Sequence, residues 1–170
     1  SQIGEFVRPL WQSAHRAFVA GTVVLPWKLR VSPALHLASG TPFNITTGID
    51  NNGDGNFTDR PSIVNGGSVG TILTPFGSLS PFVINGTLPR NFGTNPPTIT
   101  LDLDVSRDFS ILRRLSKDER YKLTVNVRSS NLLNHVNVTG LNGVLTSPFF
   151  DKANSADPAR RIEFGARFSF

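Results

Sequence analysis

The clearest order along this chain is a period of two. In the last ten residues, Ile162, Phe164, Ala166, Phe168 and Phe170 alternate with Arg161, Glu163, Gly165, Arg167 and Ser169. Successive strand side chains point to opposite faces, so the pattern predicts a strand with one apolar and one polar side. It recurs where Ile99, Leu101, Leu103, Val105, Arg107 and Phe109 alternate with Thr100, Asp102, Asp104, Ser106 and Asp108. Tyr121, Leu123, Val125 and Val127 alternate with Lys122, Thr124, Asn126 and Arg128. Trp27, Leu29, Val31, Pro33, Leu35 and Leu37 alternate with Lys28, Arg30, Ser32, Ala34 and His36. Together with a segment ended by Pro26, these patterns predict five strands, near residues 15–25, 27–39, 98–109, 120–130 and 161–170. The period is lost at 40–97 and 131–159, where Gly, Pro, Asn, Thr and Ser dominate. Both stretches are predicted to be long loops without sustained structure, with short hairpins at 42–49 and 68–73. Phe6, Leu10 and Trp11 are expected along one side of a turn before the first strand.

The connections run short, long, short, long. Transmembrane barrels segregate short turns to one end and long loops to the other, and a spanning strand needs roughly 9–11 residues. A soluble sandwich strand can alternate in the same way, so a single segment leaves both settings open. Unpaired backbone groups are costly in hydrocarbon, so a spanning sheet must be closed, and even small barrels use about eight strands. The predicted fold is therefore all-β: an antiparallel up-and-down meander of about five strands, forming an arc of a larger transmembrane β-barrel with long extracellular loops. Such an arc is not expected to fold alone, and it is expected to be a piece of something longer.

Composition agrees with a strand-and-loop protein. Apolar residues make up 38% of the 170, against roughly 45–50% in globular domains on a count that includes Gly. There is neither Cys nor Met, which excludes disulfides and thiolate chemistry. The net charge is +5, but the only adjacent basic pairs are Arg113-Arg114 and Arg160-Arg161, without base-stacking aromatics between them, so no nucleic-acid partner is predicted. No apolar run is long enough for a membrane helix. The histidines, His15, His36 and His135, share no ligand spacing and are read as structural. No nucleophile elbow or phosphate loop occurs, and no enzyme is expected.

Two groups carry candidate chemistry. Asp50, Asn52, Asp54, Asn56 and Asp59 surround Gly53 and Gly55 in a spacing that supplies oxygen ligands to a calcium ion, with Asp59 in place of the usual bidentate Glu. The competing reading is a run of Asx and glycine turns. Calcium is the one candidate cofactor. Trp27, Phe109 and Tyr121, with Phe168 and Phe170, fall near the short-turn ends of their strands, where barrels carry an aromatic belt. Lys28, Arg30, Asp102, Asp104, Lys122, Arg128, Glu163 and Arg167 are expected on the lumen face, chiefly as ion pairs.

The terminal Arg167-Phe168-Ser169-Phe170, Asn131-Leu132-Leu133-Asn134-His135 and Pro42-Phe43-Asn44-Ile45-Thr46 resemble the carboxy-terminal part of TonB-dependent outer-membrane receptors. Asp59-Arg60-Pro61 and Pro89-Arg90-Asn91-Phe92-Gly93 are similar to the Oar-like branch, whose members often carry a carboxypeptidase-regulatory-like domain. The resemblance covers the chain from about residue 15 onward. It implies a bacterial outer-membrane location, active uptake of a nutrient, lipid contact, and an amino-terminal barrel and plug through which TonB acts. Neither the plug nor a TonB box is recognisable in these 170 residues. The resemblance also implies that Phe170, with Phe168, is read by the barrel-assembly machinery. Ser130 stands where the family usually has an aromatic and is expected to loosen a lipid-facing contact. The alternative function is a soluble extracellular calcium-binding β-sandwich serving adhesion or carbohydrate binding.

Overall fold

A computed structural model describes residues 9–65, 69–110 and 121–170. Phe6, Ser68 and the polar turn through Arg113, Arg114, Lys117 and Asp118 lie outside the described residues. The strands in chain order are β1 (Arg16–Ala20), β2 (Val23–Leu25), β3 (Leu29–Ala38), β4 (Pro42–Phe43), β5 (Ser62–Ile63), β6 (Ile72–Thr74), β7 (Gly77–Ser80), β8 (Gly93–Thr94), β9 (Thr98–Ser110), β10 (Lys122–Ser130), β11 (Val138–Leu141), β12 (Ala153–Ala156) and β13 (Arg161–Ser169). They fall into two compact units.

The first unit is a single antiparallel sheet in the order β1-β3-β9-β10-β13, with β2 also on β3. β1 and β2 keep one register along β3, since Ala20 faces Ala34 and Val23 faces Val31. They are separated because Gly21 and Thr22 lie across from Pro33 and Ser32, and Pro33 has no N–H to return to the ladder. The Gly21 N–H still donates to the Pro33 carbonyl at 3.2 Å. Between β2 and β3 the chain turns through Pro26–Lys28, where Trp27 (φ 63°) and Lys28 (φ 56°) are left-handed. β3 therefore begins at Leu29, and Trp27 belongs to the turn rather than to the alternating strand expected from the sequence. A bulky residue in this region costs about 1–2 kcal/mol, and here the short hairpin imposes it.

This sheet is the up-and-down meander the alternation predicts, and it is not closed: β1 with β2 forms one edge and β13 the other.

The second unit gathers residues 39–97 and 138–156 and corrects the expectation of loops without sustained structure. Its strands form three small sheets, β11-β12, β4-β8 and β5-β7-β6. Phe43, Ile45, Leu79, Leu88 and Leu145 are buried together, and Ile72, Phe76, Leu141 and Phe150 pack against them. Phe76 lies edge-on to both Phe43 and Phe150, at ring-centroid distances of 5.8 and 6.4 Å. The local hairpin expected at 42–49 does not form, because Pro42 and Phe43 pair with Thr94 and Gly93 instead. The hairpin expected at 68–73 is displaced to β6 and β7, paired from Ile72–Leu79 to Thr74–Gly77. Five core residues scattered over a hundred positions show no period, so neither a helical nor a strand template detects them.

Candidate functional site

Register across the sheet places the predicted apolar residues in continuous rows. Val31 faces Val105, Val105 faces Val127, and Val127 faces Phe164. Leu103 lies opposite Pro33 and Ser129, and Ser129 opposite Ile162. This face is open along much of its width: Phe164 is 80% exposed, Val23 54% and Val125 37%. A sandwich would cover such a face with a second sheet packed about 10 Å away, whereas hydrocarbon can cover it in a membrane. Ser130 pairs with Arg161 in the row next to Arg128 and Glu163, so it sits on the polar face rather than the apolar one expected from the resemblance. Its neighbour Ser129 takes the apolar side, where its hydroxyl has no hydrogen-bond partner among the described residues.

The opposite face is a ladder of paired charges. Asp108 receives Lys122 Nζ at 2.9 Å from β10 and Arg30 Nη2 at 3.3 Å from β3, while the Thr124 hydroxyl donates to its other oxygen at 2.8 Å. Arg128 Nε donates to Asp104 Oδ2 at 3.1 Å, and Arg161 pairs with Glu163 at 2.7 Å. The Asp102 carboxylate accepts the Asn131 N–H at 2.9 Å. Ion pairing thus accounts for Arg30, Asp104, Lys122, Arg128 and Glu163 of the expected lumen set. Among the described residues Lys28 and Arg167 have no carboxylate partner. Half-exposed pairs of this kind each contribute about 0–1 kcal/mol, so the ladder sets register and polarity more than stability.

The aromatic group converges at the short-turn end. Phe109 and Phe168 both face Leu123. The Tyr121 and Phe168 rings stack at 6.2 Å, and Phe168 and Phe170 at 6.0 Å. Trp27 projects from the neighbouring turn, 77% exposed, and Phe170 is 91% exposed beyond the end of β13. The two residues expected to carry the assembly signal, Phe168 and Phe170, are thus an accessible stacked pair at the end of an edge strand.

The five residues of the calcium-loop pattern do lie in one local segment, and the oxygens of Asp50, Asn52, Asp54 and Asp59 are turned onto the backbone. Asp50 Oδ1 accepts the N–H groups of Gly53 and Asp54 at 2.8 and 3.1 Å, and Oδ2 accepts that of Gly55 at 2.9 Å. Asn52 Oδ1 accepts the Asp54 N–H at 3.0 Å. Asp54 Oδ1 accepts the Asn56 N–H at 2.8 Å, and Asp59 Oδ2 accepts that of Asn51 at 2.7 Å. The Asn56 N–H holds the Asp54 carboxyl below its ordinary range, helped by the Asn52 side chain. These bonds form a run of Asx turns. Among the described residues no group of three or more His, Cys, Asp or Glu is arranged to hold a metal ion.

Two buried amides escaped the sequence reading. Asn137, 1% exposed, uses Oδ1 to accept the Ile99 N–H at 2.8 Å and Nδ2 to donate to the Ile99 carbonyl at 3.0 Å. β10 ends at Ser130, so the carboxamide supplies the peptide-like partner that β9 would otherwise lack there. His135 Nδ1 lies 2.9 Å from the same Oδ1, an acceptor, so the network assigns the proton to Nδ1. In the second unit, Asn95 donates to the Thr41 carbonyl at 3.1 Å and accepts the Leu141 N–H at 3.0 Å, tying β8 to β11. The spacing of polar residues in an irregular stretch carries no signal for such braces; only their density in Asn points to them.

Neither the curated proteins nor the solved structures include a match to this chain. A family model described as an outer membrane beta barrel domain matches residues 11–163, which takes in all the strands up to the start of β13. With its open apolar face, charged opposite face and terminal aromatic cluster, the chain belongs to the outer membrane beta barrel domain family and resides in the outer membrane.

Proposed function

We propose that the chain is the carboxy-terminal arc of a TonB-dependent receptor of the Oar-like branch, which imports a nutrient actively across the outer membrane. One observation carries this reading: the dispersed motifs that resemble that branch meet in one folded unit. The Leu88 N–H donates to the Pro61 carbonyl at 3.0 Å, and Arg60 Nη1 to the Leu88 carbonyl at 3.2 Å. The Asn91 N–H donates to Asn44 Oδ1 at 2.7 Å, and Gly93 pairs with Phe43. Long connections built around their own core supply a durable extracellular surface for capturing a ligand, which simple barrel turns do not need. The lipid-facing strands, together with an amino-terminal barrel and plug, complete the pore, and Phe170 is offered to the assembly machinery.

The soluble sandwich is not favoured, because Phe164, Val23 and Val125 on the sheet's apolar face are exposed among the described residues, where that architecture would bury them. The test is capture of the full-length protein from outer-membrane extracts by the isolated periplasmic domain of TonB. Specific capture, lost when the amino-terminal TonB box is deleted, is expected. A barrel that shows heat-modifiable mobility but is never captured would overturn the receptor reading while leaving the family intact.

A further inference from the structure

Arg107 is the one charged residue on the apolar face of the described strands. It lies between Leu29 of β3 and Val125 of β10, with Val105 and Phe109 on either side along β9. Every ion pair among the described residues uses other cations, and Arg107 is exposed. Its guanidinium carbon lies 4.7 Å from the centroid of the Phe109 ring. Phe109 is two residues nearer the short-turn end, about 7 Å along the strand. The side chain therefore bends along the lipid-facing surface toward the end that carries Tyr121, Phe168 and Phe170, as a long cationic side chain does when it carries its charge out of hydrocarbon. Lys28, also without a carboxylate partner among the described residues, stands in the turn at the same end. Two cations at an aromatic girdle, neither with a carboxylate partner among the described residues, complement a phosphate at headgroup depth.

We infer that Arg107 is a lipid-binding residue, docking the phosphate of a membrane glycerophospholipid against the Phe109 ring at the short-turn end of the sheet. The guanidinium fork suits phosphate oxygens, and the adjoining apolar row receives the acyl chains. The inference depends on membership of the barrel family and not on the receptor reading.

The test is native mass spectrometry of the full-length barrel carrying this chain, titrated in detergent with phosphatidylglycerol. Diacylglycerol of the same chain length and inorganic phosphate are the comparison probes, and only protein with folded, heat-modifiable mobility is scored. Wild type is expected to retain phosphatidylglycerol and neither comparison probe. Arg107→Leu is expected to weaken retention about fivefold, Arg107→Lys, which keeps the charge but not the fork, to fall between Arg107→Leu and wild type, and Arg30→Leu on the charged face to leave it unchanged. Should Arg107→Leu not fold, Arg107→Gln carries the same comparison. Equal retention by wild type and the neutral variant would overturn the inference. So would wild-type binding of diacylglycerol or inorganic phosphate as strong as that of the phospholipid.

Discussion

The Asn137 side chain pairs with the backbone of Ile99 as another strand would, Oδ1 accepting its N–H at 2.8 Å and Nδ2 donating to its carbonyl at 3.0 Å. A second donation from Nδ2 reaches the Thr100 hydroxyl at 3.0 Å. The carboxamide thus extends the β9 ladder past the point where β10 leaves it. Asn137→Ala strands a donor and an acceptor at a nearly buried site and is expected to cost about 2–3 kcal/mol. Asn137→Asp keeps the acceptor but sets a buried carboxylate oxygen against the Ile99 carbonyl, so it should cost at least as much as Asn137→Ala. Urea unfolding of the full-length barrel in phospholipid vesicles measures both, and an unchanged midpoint for Asn137→Ala would remove the cap from this account.

The two faces of the sheet are expected to respond oppositely to the same new charge. Leu103→Arg places a cation in the apolar band and should cost about 2–4 kcal/mol near the membrane midplane. Ser32→Arg places it opposite Asp104 on the charged face and should be tolerated. The fraction of protein with folded, heat-modifiable mobility in outer-membrane preparations reports the difference. Equal loss for the two variants would show that the faces are wrongly assigned.

The second unit should behave as a folded body. Leu88 is fully buried in its core, and Leu88→Ala is expected to cost this unit about 2–5 kcal/mol. Added protease should then cut within residues 39–97 while the membrane-embedded strands stay intact. A wild-type barrel cut there just as quickly would mean that these connections are not held by that core.

Asp54 provides a pH signature. Its carboxyl is held below the ordinary value of 3.8 by the Asn56 N–H and then by the Asn52 side chain. A group depressed in the folded state stabilises above its unfolded value and loses that contribution as pH falls through the folded one. The turn should therefore be unaffected by pH from neutrality down to about 4 and loosen only below it. Carboxyl NMR titration of the full-length barrel in micelles should place the Asp54 midpoint under 3.8, and a midpoint above that value would contradict the bonded geometry.

Alternation alone was enough to assign faces to Leu103 and Asp104, to locate β3, β9, β10 and β13 and to separate short connections from long ones. A period of two is a local property, fixed by the direction of successive side chains. The same logic located the aromatic group, because Tyr121, Phe168 and Phe170 are brought together simply by pairing β10 with β13. What tertiary structure alone decided is non-local. It joined Phe43 to Gly93 across fifty residues, collected Ile45, Leu79, Leu88 and Leu145 into a core, and set Asn137 against Ile99. No repeat links such positions, since each pairing is selected by burial and by satisfying backbone groups that only the folded chain brings within reach.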